Sequence, residues 1–330
     1  MLLYSFALLV GFLVLFKSAD YFVIGSVATA NNLNISPMFI GLTVVALGTS
    51  APEIFVAVAA SMKGEAELAV GNAIGSNIAN IGLVLGMTAA LVPLPFKDET
   101  LKDDMPILIF VTLCAGATLI DLKLGVWDGL LLLAGLTAFL ARIAKEHRGN
   151  VSMAFIVEVS ELDEIPDTTT LQAMGILALS LIFLLLSAEL LVWAVIKMAG
   201  AMGVSELIIG LTVIAVGTSL PELVVCITSA MKNQTDLAIG NIIGSNIFNI
   251  LAVLTIPCIL SPTTFMPELL WRDYATMMAM TLVFVAFAYG VKGNHRIGRL
   301  KGVLLMLVWI GYIAYLYHST IPAGRAITGN

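Results

Sequence analysis

Charged side chains are scarce in this sequence. Asp, Glu, Lys and Arg together make up 12% of the 330 residues, against 59% apolar residues, whereas a soluble domain carries about 25% charged residues. With a mean hydropathy of +1.02, this deficit predicts an integral membrane protein. Positive charge is the scarcer sign, with 16 Lys and Arg against 22 Asp and Glu. That balance argues against nucleic acid as a partner, because phosphate binding needs a basic surface.

Cysteine and catalytic motifs are equally sparse. The three cysteines, Cys114, Cys226 and Cys258, lie in apolar runs with neither metal-ligand spacing nor a disulfide framework. The sequence contains no nucleophile–base pair, phosphate loop or HExxH motif. We therefore predict that the protein is not an enzyme and needs no cofactor. The protein is expected to contact the lipid bilayer, and no obligate protein partner is indicated.

Long apolar runs are what the sequence has in abundance. A helix needs about 20 mostly apolar residues to cross a bilayer, and ten stretches approach that length. The longest polar break divides them into a five-helix unit at 1–143, an acidic linker at 144–170 and a second five-helix unit at 171–330. The sequence thus predicts an all-α polytopic membrane protein. The ten predicted spans lie near 2–28, 36–62, 67–92, 104–121, 125–143, 171–199, 205–231, 237–260, 272–291 and 298–318.

The two units contain a sequence repeat. The segment Gly41–Leu85 recurs at Gly210–Leu254 with 26 of 45 positions identical and no gap. The offset is constant, since Glu53 aligns with Glu222 and 222 − 53 = 169. Because five helices per unit is an odd number, the second copy enters the membrane in the opposite orientation. Two inverted five-helix repeats of this kind place ion sites between the repeats, near the membrane midplane.

The distribution of Lys and Arg predicts the orientation. The loops of one face carry ten of these residues and those of the opposite face five. By the positive-inside rule, the first face is cytoplasmic. The protein is then a multi-pass protein of the cell inner (plasma) membrane with both termini on the outer side. The acidic linker is then cytoplasmic. It lacks EF-hand spacing, so we interpret it as a solvated linker, with a regulatory calcium site as the alternative.

Each copy of the repeat carries a carboxylate inside an apolar helix. In the first copy, Thr49 and Ser50 precede Glu53 by four and three residues, so that all three share one helical face. Pro52 cannot donate a backbone hydrogen bond and strains the preceding turn. Hydroxyls, free carbonyls and a carboxylate are hard oxygen ligands, suited to calcium or sodium rather than to zinc or copper. The second copy supplies Thr218, Ser219, Pro221 and Glu222.

A stripe of amides follows each carboxylate. Asn72, Ser76 and Asn80 are spaced four residues apart along one helical face, and neighbouring glycines allow close helix approach. Four polar helices that meet at the midplane would surround a cation with oxygen. The second copy supplies Asn241, Ser245, Asn246 and Asn249.

The two carboxylates favour a divalent ion between them. Two carboxylates about 5 Å apart repel by roughly 3 kcal/mol at an effective dielectric of about 20. Each charge near the bilayer centre costs a few kcal/mol more. A bound divalent cation removes both penalties, and protons neutralise the pair in a different way. Calcium and protons are therefore predicted to compete.

Two further acidic residues align at the same offset, Asp20 in the first helix and Glu189 in the sixth. A role in a water-facing pathway or gate is one interpretation. For Asp20, a local pair with Lys17 is the other. Cys226, one turn after Glu222, is interpreted as a structural residue.

The paired motifs GTSAPE and GTSLPE, each followed by GNAIGSNIAN or GNIIGSNIFN, resemble the α-repeats of the calcium/cation antiporter superfamily. The likeness covers nearly the whole chain and is greatest to bacterial inner-membrane sodium/calcium exchanger homologues. It implies a secondary active antiporter that exports calcium in exchange for sodium by alternating access. In that mechanism, helices 1 and 6 slide as a pair across a rigid core.

The resemblance also implies a ligand set. Glu53 and Glu222 would be the main ligands, and two alanine carbonyls would line flanking sodium sites. Many sodium/calcium exchangers carry Asp where this chain has Asn249, so that two carboxylates remain, which fits calcium and raises the case for proton exchange. The implied ligands are Ala46, Thr49, Ser50, Glu53, Ser76 and Asn80 in the first repeat and Ala215, Thr218, Ser219, Glu222, Ser245 and Asn249 in the second.

Other functions are compatible with parts of this pattern. Exchange of calcium, or another divalent cation, for protons would use the same two glutamates and would couple to a pH gradient without sodium. A cation channel would need a continuous pore. A membrane sensor that transports nothing would not explain the doubled ligand set.

Overall fold

The described part of the chain is almost entirely helical. The computed structural model describes residues 2–146, 168–201, 215–290 and 295–327. Most of the predicted linker 144–170 and the beginning of the predicted span 205–231 lie outside these residues, so both stay predictions. The helices are α1 Leu2–Leu33, α2 Pro37–Ile40, α3 Ala46–Thr49, α4 Ala51–Met62, α5 Ala66–Ala79, α6 Gly86–Leu91, α7 Met105–Leu119, α8 Val126–Glu146, α9 Thr170–Ala201, α10 Ala215–Thr218, α11 Leu220–Met231, α12 Thr235–Phe248, α13 Thr255–Leu260, α14 Ala275–Tyr289 and α15 Arg299–Ile327.

Wider, π-helical turns join or extend several helices. Such turns are frequent at functional sites, and two of them begin at the predicted ligands Asn80 and Asn249. The π-helical segments are Gly41–Val45, Asn80–Leu85, Thr100–Asp104, Asn249–Val253 and Leu269–Tyr274.

The helix boundaries follow the sequence repeat. Adding 169 to the bounds of α4, Ala51–Met62, gives those of α11, Leu220–Met231. The same addition carries α5 onto α12 and α6 onto α13. The two copies therefore fold alike throughout the carboxylate and amide motifs.

The number of membrane spans differs from the prediction. Seven helical stretches of the described residues are long and apolar enough to cross a bilayer, and α2–α4, bent by 42° after Thr49, would make an eighth. The all-helical membrane fold is confirmed, but the count of ten is not, because α7 has 15 residues and α11 has 12. The seven are Leu2–Leu33, Ala66–Leu91, Val126–Lys145, Thr170–Met198, Thr235–Leu260, Leu269–Tyr289 and Arg299–Leu316.

The two amide-bearing helices form the centre of the bundle. In the stretches α5–α6 and α12–α13, 78% and 83% of the most apolar window is buried, against 28% in α1. Outside this core, α1 and α9 lie along one another. A Cβ on Gly25 of α1 would come within 2.7 Å of the backbone nitrogen of Leu177 in α9, so the two helices are in close contact.

Two short ladders connect the halves. β1, Leu94–Pro95, pairs antiparallel with β4, Arg296–Ile297, and β2, Lys123–Leu124, pairs antiparallel with β3, Thr263–Thr264. Each ladder fixes the strand that follows a central helix of one half to the strand that precedes the last helix of the other half. The core of the bundle is thus held together at both ladders.

Glycines bring the broken helix α2–α4 against α12. A Cβ on Gly41 would lie 2.7 Å from the carbonyl oxygen of Leu237, and a Cβ on Gly244 would lie 2.8 Å from that of Leu42. Because real Cβ atoms do not approach carbonyl oxygens so closely, only glycine permits this crossing. The crossing places the first carboxylate motif against the second amide helix.

Candidate ion-binding site

Both predicted carboxylates lie at a helix break. The chain leaves helical geometry at Ser50, with φ −80° and ψ 8°, and at Ser219, with φ −90° and ψ 5°. In each case a proline two residues later lacks the N–H that would continue the helix. Glu53 and Glu222 therefore fall in the first turn of α4 and α11, where the positive end of the helix dipole favours a carboxylate. Their exposed fractions are 0% and 1%.

Glu53 is held by the amide stripe of α5. Ser76 Oγ donates to Oε1 of Glu53 over 3.3 Å, and Asn72 Nδ2 donates to the backbone carbonyl of Glu53 over 3.5 Å. One turn further along α5, Asn80 is fully buried at the start of its π-helical turn. The four-residue spacing in the sequence thus aligns the stripe with the carboxylate.

Glu222 is held by the other half of the chain. Ser50 Oγ donates to Oε1 of Glu222 over 3.3 Å. A second contact between the halves joins the amide helices, where Asn77 Nδ2 donates to the carbonyl oxygen of Asn246 over 3.1 Å. The site is therefore shared between the two copies of the repeat.

A third cluster is centred on Asn241 of α12. Its Oδ1 accepts from Thr49 Oγ1 over 3.1 Å and from Ser245 Oγ over 3.4 Å. Its Nδ2 donates to Cys226 Sγ over 3.2 Å. The sequence includes Asn241 in a polar stripe but does not reveal that it joins Thr49 to Ser245, because that contact spans 192 positions.

Several buried polar atoms on the same motifs have no hydrogen-bond partner among the described residues. Leaving one such atom unpaired costs about 1–3 kcal/mol, and the oxygens among them fit a site that receives a cation. No three His, Cys, Asp or Glu side chains of the described residues cluster so that they could hold a metal ion. A cation here would therefore depend on two carboxylates and neutral oxygens. On these motifs the unpaired atoms are Oε2 of Glu53 and Glu222, Oδ1 and Nδ2 of Asn80 and Asn249, Oδ1 of Asn77 and Asn246, Oγ1 of Thr218 and Oγ of Ser219.

The twelve predicted ligands all belong to the described residues. Six of them take part in the hydrogen bonds given above: Thr49, Ser50, Glu53, Ser76, Glu222 and Ser245. Four others, Asn80, Thr218, Ser219 and Asn249, carry unpaired buried atoms. The remaining two, Ala46 and Ala215, begin α3 and α10, one turn before each helix break.

Asp20 does not pair with Lys17. Its Oδ1 lies 2.9 Å from Nζ of Lys232, in the turn between α11 and α12. The interpretation of a local pair on α1 is therefore wrong, because a lysine that is distant in sequence reaches the same carboxylate. Glu189, the counterpart of Asp20, is exposed on α9.

Known proteins share this sequence pattern. The sequence profile of the family described as sodium/calcium exchanger protein matches residues 3–144 and 172–318. The chain belongs to the sodium/calcium exchanger family.

Several relatives match this chain over nearly their whole length. CaxA of Alkalimonas amylolytica is 44% identical over 319 residues, which cover 97% of this chain and 100% of that protein. The inner membrane protein YrbG of Escherichia coli (strain K12) is 37% identical over 323 residues, with 96% and 98% covered. A solved structure of the sodium-calcium exchanger NCX_Mj has a TM-score of 0.82 at 32% identity and covers 95% of this chain and 98% of that one. As a member of the exchanger family, the protein is a transporter and not an enzyme, as its sequence predicts.

Proposed function

We propose that this exchanger moves calcium out of the cell in exchange for sodium. The proposal depends on the two buried carboxylates, each bonded by a serine and each with a second oxygen that has no partner in the described residues. Their combined charge of −2 matches one calcium ion. Hydroxyl and carbonyl oxygens complete a hard ligand set. Because sodium would use the same oxygens, the two ions would exclude each other, and that competition would couple their movements.

The architecture proposed for this function is the ten-helix one, with inverted halves at 1–143 and 171–330 joined by a linker at 144–170. It is supported by helix bounds that coincide after addition of 169 and by a family match that falls into two segments, 3–144 and 172–318. Both termini would lie outside the inner membrane. The excess of Lys and Arg on the opposite face and the name of the relative YrbG support that placement.

Alternating access would come from movement of α1 and α9 together. These helices lie along one another and are less buried than the amide helices, whereas the core is joined by the glycine crossing and the two ladders. A tightly paired outer unit beside a connected core would move as one body. The ions would then meet one face of the membrane at a time.

The Asp20–Lys232 ion pair predicts a second, alternate ion pair. Its repeat counterparts are Glu189 and Lys63, since 20 + 169 = 189 and 63 + 169 = 232. Both counterparts are exposed, and no ion pair joins them in the described part of the chain. If α1 and α9 shift across the core, Asp20–Lys232 should open and Lys63–Glu189 should form on the opposite face.

Cysteine cross-linking tests this exchange of ion pairs. Asp20→Cys with Lys232→Cys, and separately Lys63→Cys with Glu189→Cys, are each expected to form a disulfide that stops transport until it is reduced. The four single variants are the controls for the native cysteines. A second pair that never cross-links in actively transporting vesicles would contradict the exchange.

Calcium/proton exchange is the second candidate. The observation in its favour is that Asn80 and Asn249, which end the two amide stripes and align with each other, both carry neutral side chains. The site then contains two carboxylates, which two protons would neutralise as well as one calcium ion.

Calcium flux in vesicles distinguishes the two candidates. In proteoliposomes, we expect radioactive calcium uptake when sodium is loaded inside and none when a sodium ionophore dissipates the gradient. A pH gradient alone should drive little uptake. Uptake that ignores sodium and follows the pH gradient would replace the sodium proposal by proton exchange.

A further inference from the structure

We propose that Asn241 is a positioning residue that directs the hydroxyl hydrogens of Thr49 and Ser245 away from the transported cation. This inference rests on the proposed function, because it concerns how two of the proposed ligands are oriented. Asn241 is fully buried, as are Thr49 and Ser245. It connects an amide helix of one half to the helix break of the other.

A hydroxyl group can donate one hydrogen bond and accept others at the same time. Each hydroxyl has one hydrogen to donate and two lone pairs to offer. Oδ1 of Asn241 is the nearest acceptor for the hydroxyls of Thr49 and Ser245, at 3.1 and 3.4 Å, and the Glu222 carboxylate also faces the Thr49 hydroxyl. Their lone pairs consequently remain for a cation. Both lone pairs of Oδ1 are used by these two donors, so Asn241 acts through its neighbours and not as a ligand.

The same arrangement frees a backbone carbonyl. The carbonyl oxygen of Ala46 accepts the N–H of Ser50 over 3.0 Å and has the Thr49 hydroxyl at 3.4 Å. The hydroxyl has only one hydrogen, and Asn241 offers the shorter bond. Ala46 therefore keeps one lone pair, which the proposed sodium site requires.

Cys226 fixes the direction of the Asn241 amide. Its sulfur accepts from Nδ2 of Asn241 over 3.2 Å and is itself 3.6 Å from the carbonyl oxygen of Ala238. With Nδ2 bound to the sulfur, Oδ1 has to face Thr49 and Ser245. A thiol that the sequence presents as a structural residue thereby determines the orientation of two hydroxyls.

The first half of the chain lacks this device. The repeat counterpart of Cys226 is Ala57, since 226 − 169 = 57, so the amide of Asn72 has no sulfur to bind. Asn72 donates instead to the carbonyl of Glu53, and Thr218 Oγ1 has no partner in the described residues. Asn241 thus receives the hydroxyls of Thr49 and Ser245, whereas Ser76 donates to Glu53 and not to Asn72. The two halves of the site are chemically unequal although their motifs match.

Matched substitutions in the two halves test the inference. Calcium binding to the purified protein is measured by titration calorimetry, and the calcium KM and maximal rate by vesicle uptake. Asn241→Leu should weaken calcium binding about 10-fold or more, and the equivalent Asn72→Leu less than about 3-fold, since a lost hydrogen bond in a buried site is felt at that scale. Cys226→Ala should weaken it about 3-fold, and Cys226→Ser, whose hydroxyl accepts from the amide, should restore it.

The outcomes separate this inference from the proposed function. A purely structural role for Asn241 would lower the melting temperature and the maximal rate but leave the KM unchanged, which would overturn the inference. Equal effects of Asn241→Leu and Asn72→Leu would overturn it as well. If Asn241→Leu does not fold, the comparison of Cys226→Ala with Cys226→Ser decides. A wild-type protein that binds calcium but exchanges it for protons would refute the sodium coupling and leave the Asn241 comparison intact.

Discussion

Replacement of Glu222 by Gln should abolish sodium-driven calcium uptake, with a loss on the order of 100-fold, and Glu53→Gln should do the same. Each substitution removes one of two charges from a fully buried ligand set. Loss of one partner from a buried pair of opposite charges, here a carboxylate and the bound calcium ion, costs about 2–5 kcal/mol. About 1.4 kcal/mol corresponds to a tenfold change in binding. A single remaining carboxylate would not balance a divalent ion.

The same variants should fold normally, which separates binding from stability. Gln preserves the size of the side chain and its ability to accept from Ser50 or Ser76. It also removes a charge that is costly inside a membrane. The matched control is Glu67→Gln, because Glu67 is exposed at the start of α5 and should transport at the wild-type rate. Calcium uptake by Glu222→Gln within a factor of two of wild type would refute the assigned role of Glu222.

Gly244→Val should prevent assembly of the folded transporter. A Cβ at this position would lie 2.8 Å from the carbonyl oxygen of Leu42 and 3.0 Å from its Cα. Neither atom is the end of a flexible side chain, so α12 would have to move away from the broken helix. Overpacking of a well-packed core costs about 1–3 kcal/mol or more, and here it would also separate Thr49 from Asn241.

Size-exclusion chromatography in detergent and thermal melting measure this effect. Gly244→Val is expected to elute as aggregate or to melt well below the wild type. Gly311→Val is the control, because Gly311 is exposed on α15 and a Cβ there would meet no described atom within 4 Å. A monodisperse Gly244→Val protein with unchanged transport would show that the crossing tolerates a larger separation.

Much of this fold follows from the sequence because its helices, helix breaks and polar stripes are each determined by residues close together in the chain. The apolar runs predict the helices, and Pro52 and Pro221 predict the breaks at which both carboxylates lie. The four-residue spacing of Asn72, Ser76 and Asn80 predicts one polar stripe, and in the structure Ser76 of that stripe donates to Glu53. The count of ten spans stays a prediction, because composition does not determine where a bent or short helix ends.

The contacts between the halves were not predictable in the same way. Asp20 has Lys17 nearby in sequence, yet its partner is Lys232, which only the fold brings within reach. Asn241 looks equivalent to Asn72 in the aligned motifs, but Asn241 donates to Cys226, whereas Asn72 donates to the backbone carbonyl of Glu53. Residues that bond across the repeat carry no periodic signal, so their pairing depends on how the two copies meet.

The sharing of hydrogen bonds between the halves has a consequence for how such a protein can change over time. Ser50 completes the surroundings of Glu222, and Asn241 those of Thr49, so neither half holds a complete site. In an ancestor built from two identical copies of the repeat, encoded by one gene, every mutation would have changed both copies. Once fused, each copy could acquire its own residue, as Ala57 and Cys226 illustrate. Fusion thus permits two copies of one motif to acquire different hydrogen bonds.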